Sequence, residues 1–281
     1  MINLTKKNVV ILGSEGVIGK SLSDYLVGFF NVIKFDIKLD PLHDLRSPEF
    51  ITQFKSEIES ADFVIFLAYD VGGARYLNSN QKNYLFLKNN TKIMLNVFDF
   101  LKTYNKKFIF ASSEMSNEIN SAYGILKALG EDYTEALQGI FVRFWNVYNY
   151  ESNKEKSHVI TDFIDQALVE NTIRMLTSGE ESRQFLHSED CAKAIYAVLV
   201  NYDEFLKTGS VDISSFESIT IKELGEIIAG KTQSILIGGN KGDLTRHQSL
   251  LKPREEILKY WKPELSIEKG VDLVLKVALK K

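Results

Sequence analysis

The sequence predicts a doubly wound parallel α/β sheet followed by a smaller α/β lobe. Through about residue 145, short continuous apolar runs alternate with amphipathic stretches of helical period. Such runs are strands buried on both faces, and the alternation is that of βαβ units. A glycine-rich turn separates the first run from the first helical stretch, and after Asn146 the elements become shorter and less regular.

Taken in order, Asn8-Val-Val-Ile-Leu-Gly13 is the first buried strand, and Ile18, Leu22, Tyr25, Leu26 and Phe29 give the helix after it a spacing of three and four. Asn31–Asp36 is the second strand, 48–59 a helix and Asp62–Ala68 the third strand. A long helix over 80–104 carries Tyr84, Leu87, Met94, Val97, Phe98 and Leu101 on one side. Lys107–Ala111, a helix over 121–137 and Ile140–Trp145 complete the first unit. Beyond it, helices are expected over 158–170, 188–201, 220–230 and 265–279, with strands near 173–176, 184–187, 210–213 and 234–237. This divides the chain into a dinucleotide-binding domain, 1–146, and a smaller substrate lobe, 147–281, with strand or helix exchange between them left open. The lobe is expected at the carboxyl ends of the sheet strands, where ligands bind in such folds.

Composition narrows the function. The 281 residues carry 34 Lys+Arg against 37 Asp+Glu, a net charge of −3, which lacks the basic excess of a nucleic-acid groove. Cys191 is the single cysteine, so an internal disulfide and a multi-cysteine zinc site are excluded. No ligand set surrounds His187 or His247, and the Lys-rich stretches 102–107 and 276–281 read as solvated faces. No apolar run approaches the roughly 18 residues of a membrane span. The first strand begins too soon after Met1 for a signal peptide, so a cytoplasmic protein is expected.

Gly13-Ser-Glu-Gly16-Val17-Ile18-Gly19 lies between first strand and first helix, where glycines let a pyrophosphate reach the backbone and the helix N-terminus. Gly19 would also allow close helix–strand packing. That makes the sheet a Rossmann fold. Asp36 closes the second strand beside Ile37; a carboxylate there accepts the adenosine ribose hydroxyls and repels a 2′-phosphate, favouring NAD, although Lys34 and Lys38 weaken the exclusion of NADP. Asp44-Leu45 reads either as an adenine contact or as an ordinary approach to the helix beginning near Ser47-Pro48. Tyr123 and Lys127 lie four apart, on one helical face, so the ammonium is expected to stabilise the phenolate and make Tyr123 a general acid/base.

With Ala111-Ser112-Ser113-Glu114 ahead of Tyr123-Gly-Ile-Leu-Lys127, the chain resembles the extended, nucleotide-sugar-modifying branch of the short-chain dehydrogenase/reductases. The resemblance extends over nearly the whole chain, through Leu67-Ala68-Tyr69, Asn90, Arg143-Phe-Trp-Asn146-Val-Tyr148 and Arg183-Gln-Phe-Leu-His-Ser-Glu-Asp190. Ile219–Leu224 and Tyr260–Pro263 are like the family's C-terminal segments. It implies NAD held by the glycine turn, Asp36 and Leu67–Tyr69. Ser112 would bond the sugar oxygen, Tyr123 move its proton and Lys127 hold the nicotinamide ribose. Val71, Gly72, Ser113, Asn146, Val159, Arg183 and Arg246 would line the sugar-nucleotide site.

Val71-Gly72-Gly73, His158-Val159-Ile160 and Arg183-Gln-Phe185 are similar to the GDP-fucose synthase group. In that group a cysteine and a histidine epimerise the sugar; here Glu114 and His158 stand in those places. The expected activity is NAD-dependent redox or epimerisation, most directly at C4 of a nucleotide sugar, in surface polysaccharide biosynthesis. A 4-keto-sugar reductase and an inert dinucleotide-binding protein are the alternatives. Ser112 and Tyr123 are only 11 residues apart, less than is usual in extended members. The resemblance also implies a homodimer built by the helices over 80–104 and 121–137 as a four-helix bundle.

Overall fold

The structure is a computed structural model, and it describes residues 6–242 and 252–280. The first half runs β1 (Asn8–Leu12), α1 (Val17–Leu26), β2 (Asn31–Phe35), α2 (Glu49–Gln53), α3 (Lys55–Ser60), β3 (Phe63–Phe66), α4 (Ala74–Asn80), α5 (Tyr84–Thr103), β4 (Lys107–Ser113), α6 (Ala122–Ala136) and β5 (Ile140–Phe144). The second half adds β6 (Val147–Tyr148), α7 (Val159–Glu170), β7 (Thr172–Arg174), β8 (Ser182–Arg183), β9 (Leu186–His187), α8 (Ser188–Val200), α9 (Tyr202–Leu206) and β10 (Ser210–Ile213). It closes with β11 (Ile219–Thr220), α10 (Ile221–Thr232), β12 (Ile235–Ile237) and α11 (Ile267–Ala278).

Six strands form one sheet in the order β10-β5-β4-β3-β1-β2, and every pairing is parallel. Both faces are covered, which is why these strands are almost wholly apolar. On one side Val9, Ile11, Ile65 and Ile109 pack on Leu22 and Leu26 of α1 and Ile195 and Val198 of α8. On the other, Val10, Leu12, Phe66 and Phe110 pack on Met94, Val97 and Phe98 of α5 and Leu126 of α6. Strand order reverses at β1, so a crevice opens beyond the carboxyl ends of β1 and β3.

The expected elements are present, with three differences. The helix expected over 48–59 breaks at Phe54, whose φ of −112° and ψ of 28° leave the helical region, giving α2 and α3. The segment ahead of α5 forms a helix of its own, α4. The strand expected at 210–213 joins the main sheet as β10, with Val211 opposite Val142, and α8 lies against α1. The second half of the chain thus returns two elements to the first layer. Its own core gathers Phe163, Ile164, Leu224, Ile228, Val271 and Val274 from α7, α10 and α11. Among the described residues, no helix is long and apolar enough to cross a membrane.

Candidate active site

A cleft of 1490 Å³ runs from the β1–α1 turn, past the ends of β3 and β4, to the loop before α7. Gly13 begins the turn at φ +89°, and a Cβ there would stand 2.7 Å from the Ala68 nitrogen. A Cβ on Gly19 would meet the Gly13 carbonyl at 2.2 Å, so α1 can lie this close to β1 only with glycine at that position. Gly16 caps α1 without a side-chain hydrogen bond, which leaves the Val17 and Ile18 end of the helix with open backbone donors. Asp36 follows β2, and its carboxylate accepts the Glu15 and Lys38 amides, each at 2.9 Å. Lys34 is paired with Glu15 at 2.9 Å, and Lys38 reaches the Glu15 carbonyl. Ile37 is exposed beside them.

Asp44 and Leu45 both line the cleft. Arg46 holds both Asp44 oxygens at 2.8 Å, which keeps that carboxyl below its ordinary range, and Leu45 is buried in the core.

Strand register gives the two serines different partners. Phe108 and Phe110 face α5 and α6, and Ser112 shares their side of β4. Its hydroxyl donates to the Glu131 carboxylate at 2.5 Å, which also takes Nε and Nη2 of Arg143 at 2.9 and 2.6 Å. Ser112 lines the cleft, with its hydroxyl held by this buried network. Ser113 ends the strand, and its hydroxyl accepts the Met115 amide at 3.2 Å; Ser113 and Tyr123 both line the cleft.

Lys127 lines the same cleft. Its ammonium donates to the Ala111 carbonyl at 2.5 Å and lies 3.7 Å from the centre of the Tyr69 ring but 5.7 Å from that of Tyr123. Burial lowers Lys127 to about 7, against the opposing pull of Glu131. Burial also pushes Tyr123 up to about 12, with the nearby Ser113 hydroxyl opposing.

On the sugar side, Asn146, at φ +40°, donates to Glu114 at 2.7 Å. His158 caps α7 with its side chain 40% exposed toward the cleft. Glu151 accepts its backbone amide at 2.8 Å and faces Nδ1 at 2.9 Å. Burial lowers the imidazole, but Glu151 and Asp162 outweigh it and leave His158 above its ordinary value. Leu67, Ala68, Tyr69, Val71, Gly72, Val159 and Arg183 all line the same cleft, Arg183 donating to the Ser182 carbonyl. Asn90 clamps the loop after β3 through both the amide and the carbonyl of Asp70. Arg246 and His247 lie outside the described residues.

Sequence reading missed Glu131, Glu151, Asp70 and Gln81. Glu131 was within reach, one turn beyond Lys127 on the same face. The other three carry no local periodic signal.

The model of the NAD dependent epimerase/dehydratase family matches residues 9–214. The chain belongs to that family. Among curated relatives of this family member, the rice (Oryza sativa subsp. japonica) "Probable GDP-L-fucose synthase 1" is 24% identical, covering 94% of this chain and 89% of its own. An epimerase structure from Methanothermobacter thermautotrophicus superimposes with a TM-score of 0.84 at 19% identity, over 98% of this chain and 93% of that one. The Thermotoga maritima UDP-glucose 4-epimerase, solved with UDP-glucose, gives 0.79 at 20% identity, over 97% and 99%. These two likenesses speak to the fold.

Membership makes NAD the cofactor, and the cleft fits it. The two glycines admit no Cβ, Gly16 gives the end of α1 no side-chain cap, and Asp36, in the cleft lining, would offer its carboxylate to the ribose hydroxyls.

Proposed function

We propose that this family member carries out NAD-dependent redox chemistry at C4 of the sugar of a nucleotide sugar, as an epimerase or dehydrogenase. The observation that carries the reading is that Ser113, Tyr123 and, one helical turn on, Lys127 all line the cleft that the glycine turn opens. Bound NAD supplies the hydride acceptor or donor.

In this reading Ser113 orients the sugar oxygen and Tyr123 exchanges the proton of the C4 hydroxyl. Lys127 holds a positive charge over the adjoining rings while it is protonated. Asn146, Glu114 and Arg183 would face the sugar and its diphosphate. Relatives named for GDP-linked and for UDP-linked sugars both match, so the reading commits to the class, a nucleoside diphosphate sugar. Such sugars are the precursors from which surface polysaccharides are assembled, the setting in which we place the enzyme.

A second reading, a 4-keto-sugar reductase with 3,5-epimerase activity, is favoured by one feature, the His158–Glu151 pair. A carboxylate on Nδ1 leaves Nε2 to exchange a carbon-bound proton next to a ketone.

The testing experiment is to denature the purified protein and identify any dinucleotide it releases, and its oxidation state, by mass and absorbance. Retained NAD or NADH supports an epimerase that recycles its cofactor. An empty protein that prefers NADPH overturns the Asp36 argument and makes the reductase the leading reading. On any nucleotide sugar that is turned over, Tyr123→Phe should cut the rate at least a hundredfold, of the order general acid/base catalysis contributes. Ser113→Ala should cost more than Ser112→Ala. Wild-type turnover in Tyr123→Phe would remove the mechanism, and an inert dinucleotide-binding protein would take its place.

A further inference from the structure

The link between Ser113 and Tyr123 is short, residues 114–122, and Tyr123 is the second residue of α6. The first four amides of a helix have no partner inside it. Ser121 caps the Gly124 amide at 3.1 Å, but the Tyr123 amide needs an acceptor from elsewhere. It finds one in a residue far away in sequence. The side-chain oxygen of Gln81 accepts the Tyr123 amide at 3.2 Å and the Ser121 hydroxyl at 2.8 Å. One carbonyl thus holds both the capping serine and the backbone of the tyrosine.

Gln81 is itself the C-cap residue of α4, its amide donating to the Leu77 carbonyl at 3.0 Å. The other end of α4 is bound to the second half of the chain. The Gly73 amide donates to the Lys156 carbonyl at 2.9 Å, and Arg75 pairs with Asp162 of α7 at 2.6 Å. Lys156 and Tyr76 both reach the Asp70 carboxylate, at 2.5 and 2.7 Å. A Cβ on Gly73 would stand 2.3 Å from the Ser157 carbonyl, so the two segments touch backbone to backbone. Leu77, buried in the core, ties the middle of α4 to the sheet layer.

We propose that Gln81 is a positioning residue for Tyr123 and that α4 couples the placement of that tyrosine to the seating of the 151–162 segment over the sugar end of the cleft. The inference rests on the reading of Tyr123 as the proton-exchanging group and adds the residue that holds it in place. It also accounts for the short link: contacts that a longer Ser–Tyr loop could make are supplied from α4.

The test needs no substrate. Amide hydrogen exchange at Tyr123 is compared in wild type, Gln81→Met, Gln81→Glu and Arg75→Met, with the β1 amides as a control for global stability. Gln81→Met keeps the side-chain length but removes the acceptor; Gln81→Glu keeps two acceptor oxygens. Losing one hydrogen bond should speed Tyr123 exchange about tenfold and leave β1 unchanged. Gln81→Glu should restore protection, and Arg75→Met, at the far end of α4, should speed exchange by about threefold. As a spectroscopic signature, ultraviolet difference titration against Tyr123→Phe should show the phenol moving from about 12 back toward its ordinary range in Gln81→Met, as water reaches it.

Unchanged exchange and titration in Gln81→Met would overturn the proposal. So would acceleration that includes β1, because the residue would then be merely structural, and so would a Gln81→Glu variant that behaves like Gln81→Met. An unchanged Arg75→Met would overturn the coupling through α4. The two readings fail separately: wild-type turnover in Tyr123→Phe defeats the functional one whatever the exchange shows, and intact protection in Gln81→Met defeats this one even if Tyr123→Phe is dead.

Discussion

Lys127 is a base buried at 3% exposure, with one carbonyl and the face of Tyr69 in place of water. Its value falls from 10.5 to about 7, so between those limits the unfolded chain binds a proton that the folded chain does not. The stability cost is therefore complete below about pH 7, shrinks as pH rises toward 10.5, and is gone above it. Lys127→Met removes that cost. Its melting temperature should exceed the wild type's by several degrees near pH 6, and the lead should vanish near pH 10. A lead that does not change with pH would mean that packing, rather than charge, separates the two proteins. Residues of this kind were only partly legible in the sequence. Tyr123 and Lys127 stand out by their spacing, but nothing local says that the lysine turns to Ala111 and Tyr69. The choice between Ser112 and Ser113 depends on the face of β4, and a one-residue shift in a strand reverses the face. The Phe108 and Phe110 pattern held that information, because Ser112 continues their side.

At the level of elements, the β1–α1 turn is the part most openly written in the chain, since each glycine has a separate steric reason. A Cβ on Gly19 would sit 2.2 Å from the Gly13 carbonyl and 2.8 Å from Cα of Ser14, all backbone that cannot yield. Gly16, in contrast, would place its Cβ 3.4 Å from the Gly13 carbonyl, at ordinary contact and facing the cleft. Gly19→Ala should therefore destabilise the fold by about 1–3 kcal/mol, as overpacking does. Gly16→Ala should leave stability within about 0.5 kcal/mol, the range of changes that touch no packed feature, yet weaken NAD binding at least tenfold in calorimetric titration, because its methyl group blocks the approach to the end of α1. Equal destabilisation by the two would refute the assignment of Gly19 to packing and Gly16 to the ligand. Other elements were harder to place. A parallel sheet is ordered by long-range pairing, and local pattern does not say that Ser210–Ile213 returns to lie beside β5. Nor does periodicity reveal the break at Phe54, where backbone angles rather than apolar spacing end the helix.

At the level of the whole molecule, the two halves share the apolar core between α1, α8 and the sheet, and apolar side chains also stand exposed on the outer face of the first layer. On α5, Tyr84, Leu85, Leu87 and Leu95 are 72%, 65%, 36% and 40% exposed, and on the neighbouring α6, Ile125 and Leu129 are 53% and 42% exposed. Ile125 and Leu129 lie one turn apart on one face. Side chains of this size gathered on two adjacent helices are more than a solvated surface requires. A second copy of the chain, presenting the same two helices, would cover them as a self-complementary four-helix interface. The wild-type protein should therefore sediment as a dimer at micromolar concentration, and Leu95→Glu combined with Leu129→Glu should sediment as a monomer. Because the glycine turn, Asp36, Ser113, Tyr123 and Lys127 all belong to one chain and line one cleft, the monomeric variant should still bind NAD with affinity close to that of the wild type. A wild-type monomer would remove the interface. A monomeric variant that no longer binds the dinucleotide would show instead that the dimer holds α6, and with it Tyr123 and Lys127, in place.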